Sequence, residues 1–219
     1  MCFSENVSLA IGITGILSSI YFYKKNIYAS IGIGYFAIME LLQFLQYRVI
    51  DQCNNDYNRF LTIIGYIHIC FQPLFFNIWL FAFIIKPNVL FLYMTFIAGL
   101  LLLSRVFFVK DYELCDTDNE PICGKNTCSF SGKRHIAWNV RLRAPGKYAF
   151  TPSFGLYMFV FCVPALLTFQ LKPILAMLLC TPYIPYILNG GIWNNIHEHP
   201  AIWCYTVIGQ MLLAFFLLK

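Results

Sequence analysis

Six polar side chains interrupt otherwise apolar runs, and their spacing is where chemistry would reside. Glu40 and Gln43 stand three residues apart and His68 and Gln72 four apart, so each pair shares one helical face. Arg105 adds a cation and Gln210 an amide in two further runs. Counted from the nearest polar end of its run, Glu40 is about eight residues from Arg48, His68 about nine from Arg59, and Gln210 about ten from Pro200. At a rise of about 1.5 Å per residue these share nearly one depth, with Arg105 a little shallower. A carboxylate in hydrocarbon costs roughly 2.5–3.5 kcal/mol on insertion scales, so Glu40 requires a partner or water. Arg105 and His68 are its natural partners. Such a layer would serve proton transfer, ion passage or polar-ligand binding. In the structural reading, Glu40–Arg105 is an ion pair and the amides and histidine are interhelical glue.

A second constellation is His197–Glu198–His199, with Cys204, Trp193 and Trp203 nearby. Together with His68, the histidines at 197 and 199 are the candidate zinc ligands; no cofactor is predicted, and zinc is the one these residues would admit. Alternate residues of a helix point apart, so His197 and His199 share a metal only from extended chain. The segment also lacks the His-Glu-x-x-His spacing of metalloproteases. A third constellation is Cys53, Cys115, Cys123 and Cys128, with His135 following. The spacings match no common zinc module, and two disulfides are expected, Cys123–Cys128 and Cys53–Cys115. Cys2 would be a nucleophile or acylation site only with a base beside it.

These residues are carried by seven apolar stretches, at roughly 5–23, 27–49, 59–85, 89–109, 153–171, 173–190 and 200–218. A membrane-crossing helix needs about 20 mostly apolar residues, since only a helix satisfies its own backbone there. The chain is 59% hydrophobic and 11% charged, against roughly 25% charge in soluble domains. The expectation is an all-α seven-transmembrane-helix bundle, one integral membrane domain over 1–219, with one cysteine-containing extramembrane loop at 110–152. The first run follows Glu5 without a basic segment or cleavage site, so it reads as a retained helix. Pro73 and Pro164 fall inside predicted helices and would kink them.

Even-numbered connections share a side with the N-terminus and carry the cysteines, the long loop and His197–His199. The other side has short lysine-bearing turns and Lys219. Glu5 before the first helix and Lys24–Lys25 after it favour an external N-terminus, while the total of basic residues favours the reverse. Disulfide-forming cysteines point to the external arrangement. Basic residues lie mostly at helix ends, so the net charge of +5 reflects lipid-headgroup anchoring; membrane lipids are the expected partners and nucleic acid is not. No phosphate-binding Gly-x4-Gly-Lys-Ser/Thr loop, potassium-filter motif or Gly-x-Ser-x-Gly elbow occurs. The last run has no lysine for a retinal Schiff base.

The opening Met1-Cys2-Phe3-Ser4, Glu40-Leu41-Leu42-Gln43 and Ile202-Trp203-Cys204 resemble a family of uncharacterised multi-pass membrane proteins with members from large DNA viruses and bacteria. That resemblance implies seven helices and brings no activity; richness in Ile, Asn, Lys, Phe and Tyr suits an AT-rich viral genome. A weaker likeness is to the alkaline ceramidase and adiponectin-receptor superfamily, whose members are intramembrane zinc hydrolases. The lack of an intramembrane aspartate and of His-x3-His on the last helix separates this chain from them. The leading expectation is therefore small-molecule or ion recognition or transport through the Glu40, His68 and Arg105 layer. A metal-dependent lipid hydrolase and a structural or interaction protein of a viral or host membrane are the alternatives.

Overall fold

A computed structural model describes residues 4–118, 120–133, 135–145, 152–180, 196–198, 201 and 204–218. Seven α-helices lie among them: α1 Glu5–Tyr23, α2 Ile27–Tyr47, α3 Asp56–Leu80, α4 Leu90–Leu103, α5 Phe154–Leu166, α6 Leu171–Cys180 and α7 Cys204–Leu217. Asn26, Asn55 and Ser153 start α2, α3 and α5 by accepting from the N–H groups of Ala29, Tyr57 and Leu156, as N-caps do. Three helical segments are long and apolar enough to cross a membrane: Glu5–Tyr23, Ile27–Tyr47 and Asp56–Phe83. Leu90–Val106, Phe154–Leu166, Leu171–Cys180 and Thr206–Leu217 are apolar but shorter. The fourth and fifth helices thus end earlier than hydropathy predicts. α4 tightens into a 3-10 turn at Ser104–Val106, and α5 stops where the Thr168 hydroxyl donates to the Ala165 carbonyl.

Small residues set the helix spacing. Gly12 and Gly15 of α1 face α2 so closely that a Cβ on Gly15 would lie 2.6 Å from that of Ala37. Interfaces of this kind suit helices whose backbones must approach closely. Large aromatic side chains fill the interior between α2, α3 and α5, with Trp79, Phe76 and Phe161 buried and the rings of Phe76 and Phe161 stacked 3.9 Å apart. Pro73 sits within α3 and Pro164 within α5. The Asn77 amide donates to the Pro73 carbonyl at 2.7 Å and to the Val160 carbonyl at 3.0 Å, which ties α3 to α5.

The connections alternate between two ends of the bundle. At one end, Arg48 after α2 pairs with Glu5 at the start of α1, and the α4–α5 segment folds over the α2–α3 turn. This is the capped face. At the other end, the Ile85 N–H donates to the Gln170 side chain, joining the α3–α4 and α5–α6 turns.

The cap corrects the all-α expectation. It holds a two-stranded antiparallel sheet, β1 Cys128–Ser131 with β2 Ile136–Asn139, in register Cys128 to Asn139 and Ser131 to Ile136. It also corrects the cysteine pairing: the disulfides are Cys53–Cys128 and Cys115–Cys123. The hairpin lays Cys128 over the α2–α3 turn beside Cys53, leaving Cys115 and Cys123 to close a short loop.

Candidate functional site

The capped face is built on α3. Asn58, fully buried, donates to the carbonyls of Val49 and Ser129 and accepts the Ser129 N–H. One turn on, the Thr62 and Ser129 hydroxyls meet at 2.7 Å. From α2, Gln46 accepts the Trp138 indole N–H at 3.1 Å and donates to the Leu61 carbonyl at 3.0 Å. Asp51 takes the backbone N–H and hydroxyl of Ser131. The short 3-10 turn Ile196–Glu198 closes the far side, where the buried Glu198 carboxylate accepts the N–H groups of Lys133 and His135. Sheet, turns and helix ends are therefore one hydrogen-bonded unit.

Arg105 belongs to this cap. Its guanidinium pairs with Glu120, and its Nε donates to the Arg143 carbonyl at 2.8 Å. Both side chains are buried, at 4% and 12% exposed. The partner expected from sequence was Glu40, so the layer loses its cation to the loop. Glu120 gave no signal in sequence, because a loop carries no periodicity that would place it under a helix end.

The remaining layer residues divide among helix seams. The His68 Nε2 lies 2.8 Å from the Tyr35 carbonyl while the Tyr35 hydroxyl donates to the His68 carbonyl, and their rings stack at 3.9 Å. Gln72 accepts the Tyr157 hydroxyl of α5 at 2.7 Å. Glu40 and Gln43 are buried on α2, and five residues of helix turn Glu40 about 140° from Tyr35. Gln210 is buried on α7, and neither amide atom has a partner among the described residues. It is also deeper than expected. Gly15 lies against both Ala37 and Val207, so Gln210 and Glu40 fall on opposite sides of that level, roughly 9 Å apart along the axis.

The expected zinc set does not assemble. His68 is about 18 Å along α3 from its start at Asp56, whereas His197 lies in the cap beside the Phe130 ring. His199, Cys2, Trp193 and Trp203 lie outside the described residues, as does the side chain of Cys204. Among the described residues, one group has metal-ligand spacing, Cys115, Glu120 and Cys123. Its two sulfurs are joined to each other and its carboxylate holds Arg105. Bonded sulfurs donate poorly and a guanidinium repels a dication, so the trio does not fit a metal in this form.

Sequence did not point to the cleft in the cap, a cavity of about 520 Å³. Thr117, Asp118, Lys125, Asn126, Asn139 and His197 supply its polar groups and Phe130 an aromatic wall. The His197 Nδ1 and the Asn139 Oδ1 are both buried atoms without a partner among the described residues. Partial burial pushes the His197 imidazole below its usual pKa, against the opposite pull of a Thr117 backbone bond and the Asp118 carboxylate. A neutral imidazole in a cleft that also holds a carboxylate and an ammonium can both donate and accept hydrogen bonds.

These features define a helical protein with three segments fit to cross a membrane and a disulfide-tied, partly β-stranded cap. The chain belongs to a family of unknown function, DUF5765, whose model matches residues 6–218. Neither the search of curated proteins nor that of solved structures finds a match.

Proposed function

We propose that this is a seven-pass integral membrane protein that recognises a small zwitterionic solute at its capped face. The observation that carries the reading is the cap cleft, where Asp118 and Lys125 stand with His197 and Asn139 around one cavity. An ammonium would find Asp118, a carboxylate Lys125, and the flanking polar groups would fix orientation. Membrane residence is supported by the alternating connections and by outer faces such as Ile13, Leu17 and Ile20 of α1 and Tyr93, Ile97 and Leu100 of α4, all exposed. Apolar surface on that scale is not tolerated in water. The shorter helices would be accommodated by local thinning of the bilayer. The two disulfides favour an oxidising compartment for the cap.

The test is a thermal-shift screen of the detergent-purified chain against free amino acids, with neutral sugars as the comparison set. The expected result is stabilisation by amino acids that His197→Ala and Asn139→Ala remove. No shift with any amino acid, or shifts unchanged in both variants, would reject this reading. A second reading is transport along the α2–α7 seam, favoured by the buried Gln210 amide, which has no partner among the described residues. Flux into vesicles that Gln210→Leu abolishes would support it.

A further inference from the structure

The chain's charges are unevenly divided between its two ends. Every acidic residue except the buried Glu40 lies on the capped face. There Arg48, Arg59, Arg105 and Arg141 are paired with Glu5, Asp56, Glu120 and Asp111. The opposite face carries Lys24, Lys25, Lys86 and Lys172 in its turns, and no Asp or Glu side chain lies there among the described residues.

A cleft of about 200 Å³ opens on this face between the α3–α4 and α5–α6 turns. Lys86, Asn88, Thr168 and Gln170 supply its polar groups, and Ile84, Phe91 and Leu167 its apolar wall. The hydrogen bonds around it engage the amide oxygens of the turns. The Asn88 Oδ1 is occupied by the Leu90 N–H at 3.0 Å, and the Gln170 Oε1 by the Ile85 N–H at 3.1 Å. With both amide oxygens engaged, each side chain retains its NH2 group, and Lys86 adds an ammonium. α4 and α6 both begin here, which brings the positive ends of two helices towards the same place. Amide N–H groups and a lysine that have no acceptor or ion-pair partner among the described residues, together with two helix starts, suit a phosphate.

The apolar wall decides which phosphate. It runs onto the outer surface of α4, where Leu90, Tyr93, Met94 and Ile97 are exposed. A free phosphate would make no use of that surface; acyl chains would cover it. We infer that the cleft between the two turns binds the phosphate head group of an anionic phospholipid, with its chains along α4. The site rests on the membrane reading above and not on the solute reading of the cap.

The experiment is native mass spectrometry of the full chain in detergent with equimolar phosphatidylglycerol and phosphatidylcholine. The expected result is one retained phosphatidylglycerol per chain. Lys86→Gln should lower retention about tenfold, the scale of one charge-assisted hydrogen bond, and Lys24→Gln with Lys25→Gln should leave it unchanged. Asn88→Asp keeps the acceptor for the Leu90 N–H, so the fold persists while retention falls through repulsion. Equal retention of both lipids, or unchanged retention in Lys86→Gln and Asn88→Asp, overturns the assignment. Displacement of the lipid by millimolar inorganic phosphate would make the site one for free phosphate and also overturn it. Alkaline carbonate extraction checks the membrane reading separately: release of the wild type from membranes would refute that reading whatever the lipid preference.

Discussion

Replacing Cys53 and Cys128 together by serine should open the cap without unfolding the helices. The disulfide they form spans 75 residues, against 8 for Cys115–Cys123. Loop-closure entropy gives about 4.5 kcal/mol for the longer ring and about 2.5 kcal/mol for the shorter. The first figure is an upper bound, because α3 and α4 lie inside that ring and remain helical when the cap detaches. Counting only the non-helical residues lowers it to about 3.5 kcal/mol. Amide exchange of the β1 and β2 N–H groups in the purified protein measures the opening directly. Those amides should exchange roughly 300- to 1,500-fold faster in Cys53→Ser/Cys128→Ser, and roughly 60-fold faster in Cys115→Ser/Cys123→Ser. Equal acceleration in the two variants, or none in the first, would refute the view that the cap is held by the longer cross-link.

Removing one partner of the buried Arg105–Glu120 pair leaves an uncompensated charge, so Glu120→Gln and Arg105→Met should each cost about 3 kcal/mol. The double variant should lose less than the sum, as read by chemical melting of the cap. Asn58→Ala deletes two hydrogen bonds between α3 and the cap and one to the α2–α3 turn, and a loss of about 2–3 kcal/mol is expected in the same assay. Gly15→Leu forces a side chain into Ala37, and should lower the melting temperature by undocking α1, an overpacking cost of about 1–3 kcal/mol. The depressed pKa of His197 means the folded cap holds its imidazole neutral while the unfolded chain protonates first. The resulting stability is present above the ordinary histidine pKa of about 6.5 and is lost as pH falls below it. His197→Gln should flatten the melting temperature between pH 7.5 and 5, whereas an unchanged slope would assign the dependence to other groups.

The helices were readable because their apolar runs are long and their starts carry Asn and Ser caps. Their ends were less so: nothing in the apolar run Phe154–Leu171 announces that α5 stops at Leu166, since a side-chain bond from Thr168 makes the stop. The hairpin had a signal that hydropathy hides. Ser131-Gly132-Lys133 is turn chemistry between short runs holding Phe130, Ile136 and Trp138. Four cysteines allow three pairings, and only the register of that hairpin chooses between them. Matching depths on separate helices located Glu40 and His68, but depth says nothing about azimuth. His68 is clasped by Tyr35, which lies about 140° around α2 from Glu40.

The Cys53–Cys128 bond also encloses α3 and α4 in a covalent ring. In the proposed topology that ring passes through the bilayer and back, with both sulfurs on the capped side. It cannot close until the second of the two helices has been inserted and the hairpin has emerged beyond it. Oxidation at this pair therefore records a completed insertion event during biogenesis. Once closed, a single backbone cut anywhere between the two cysteines leaves the polypeptide in one piece.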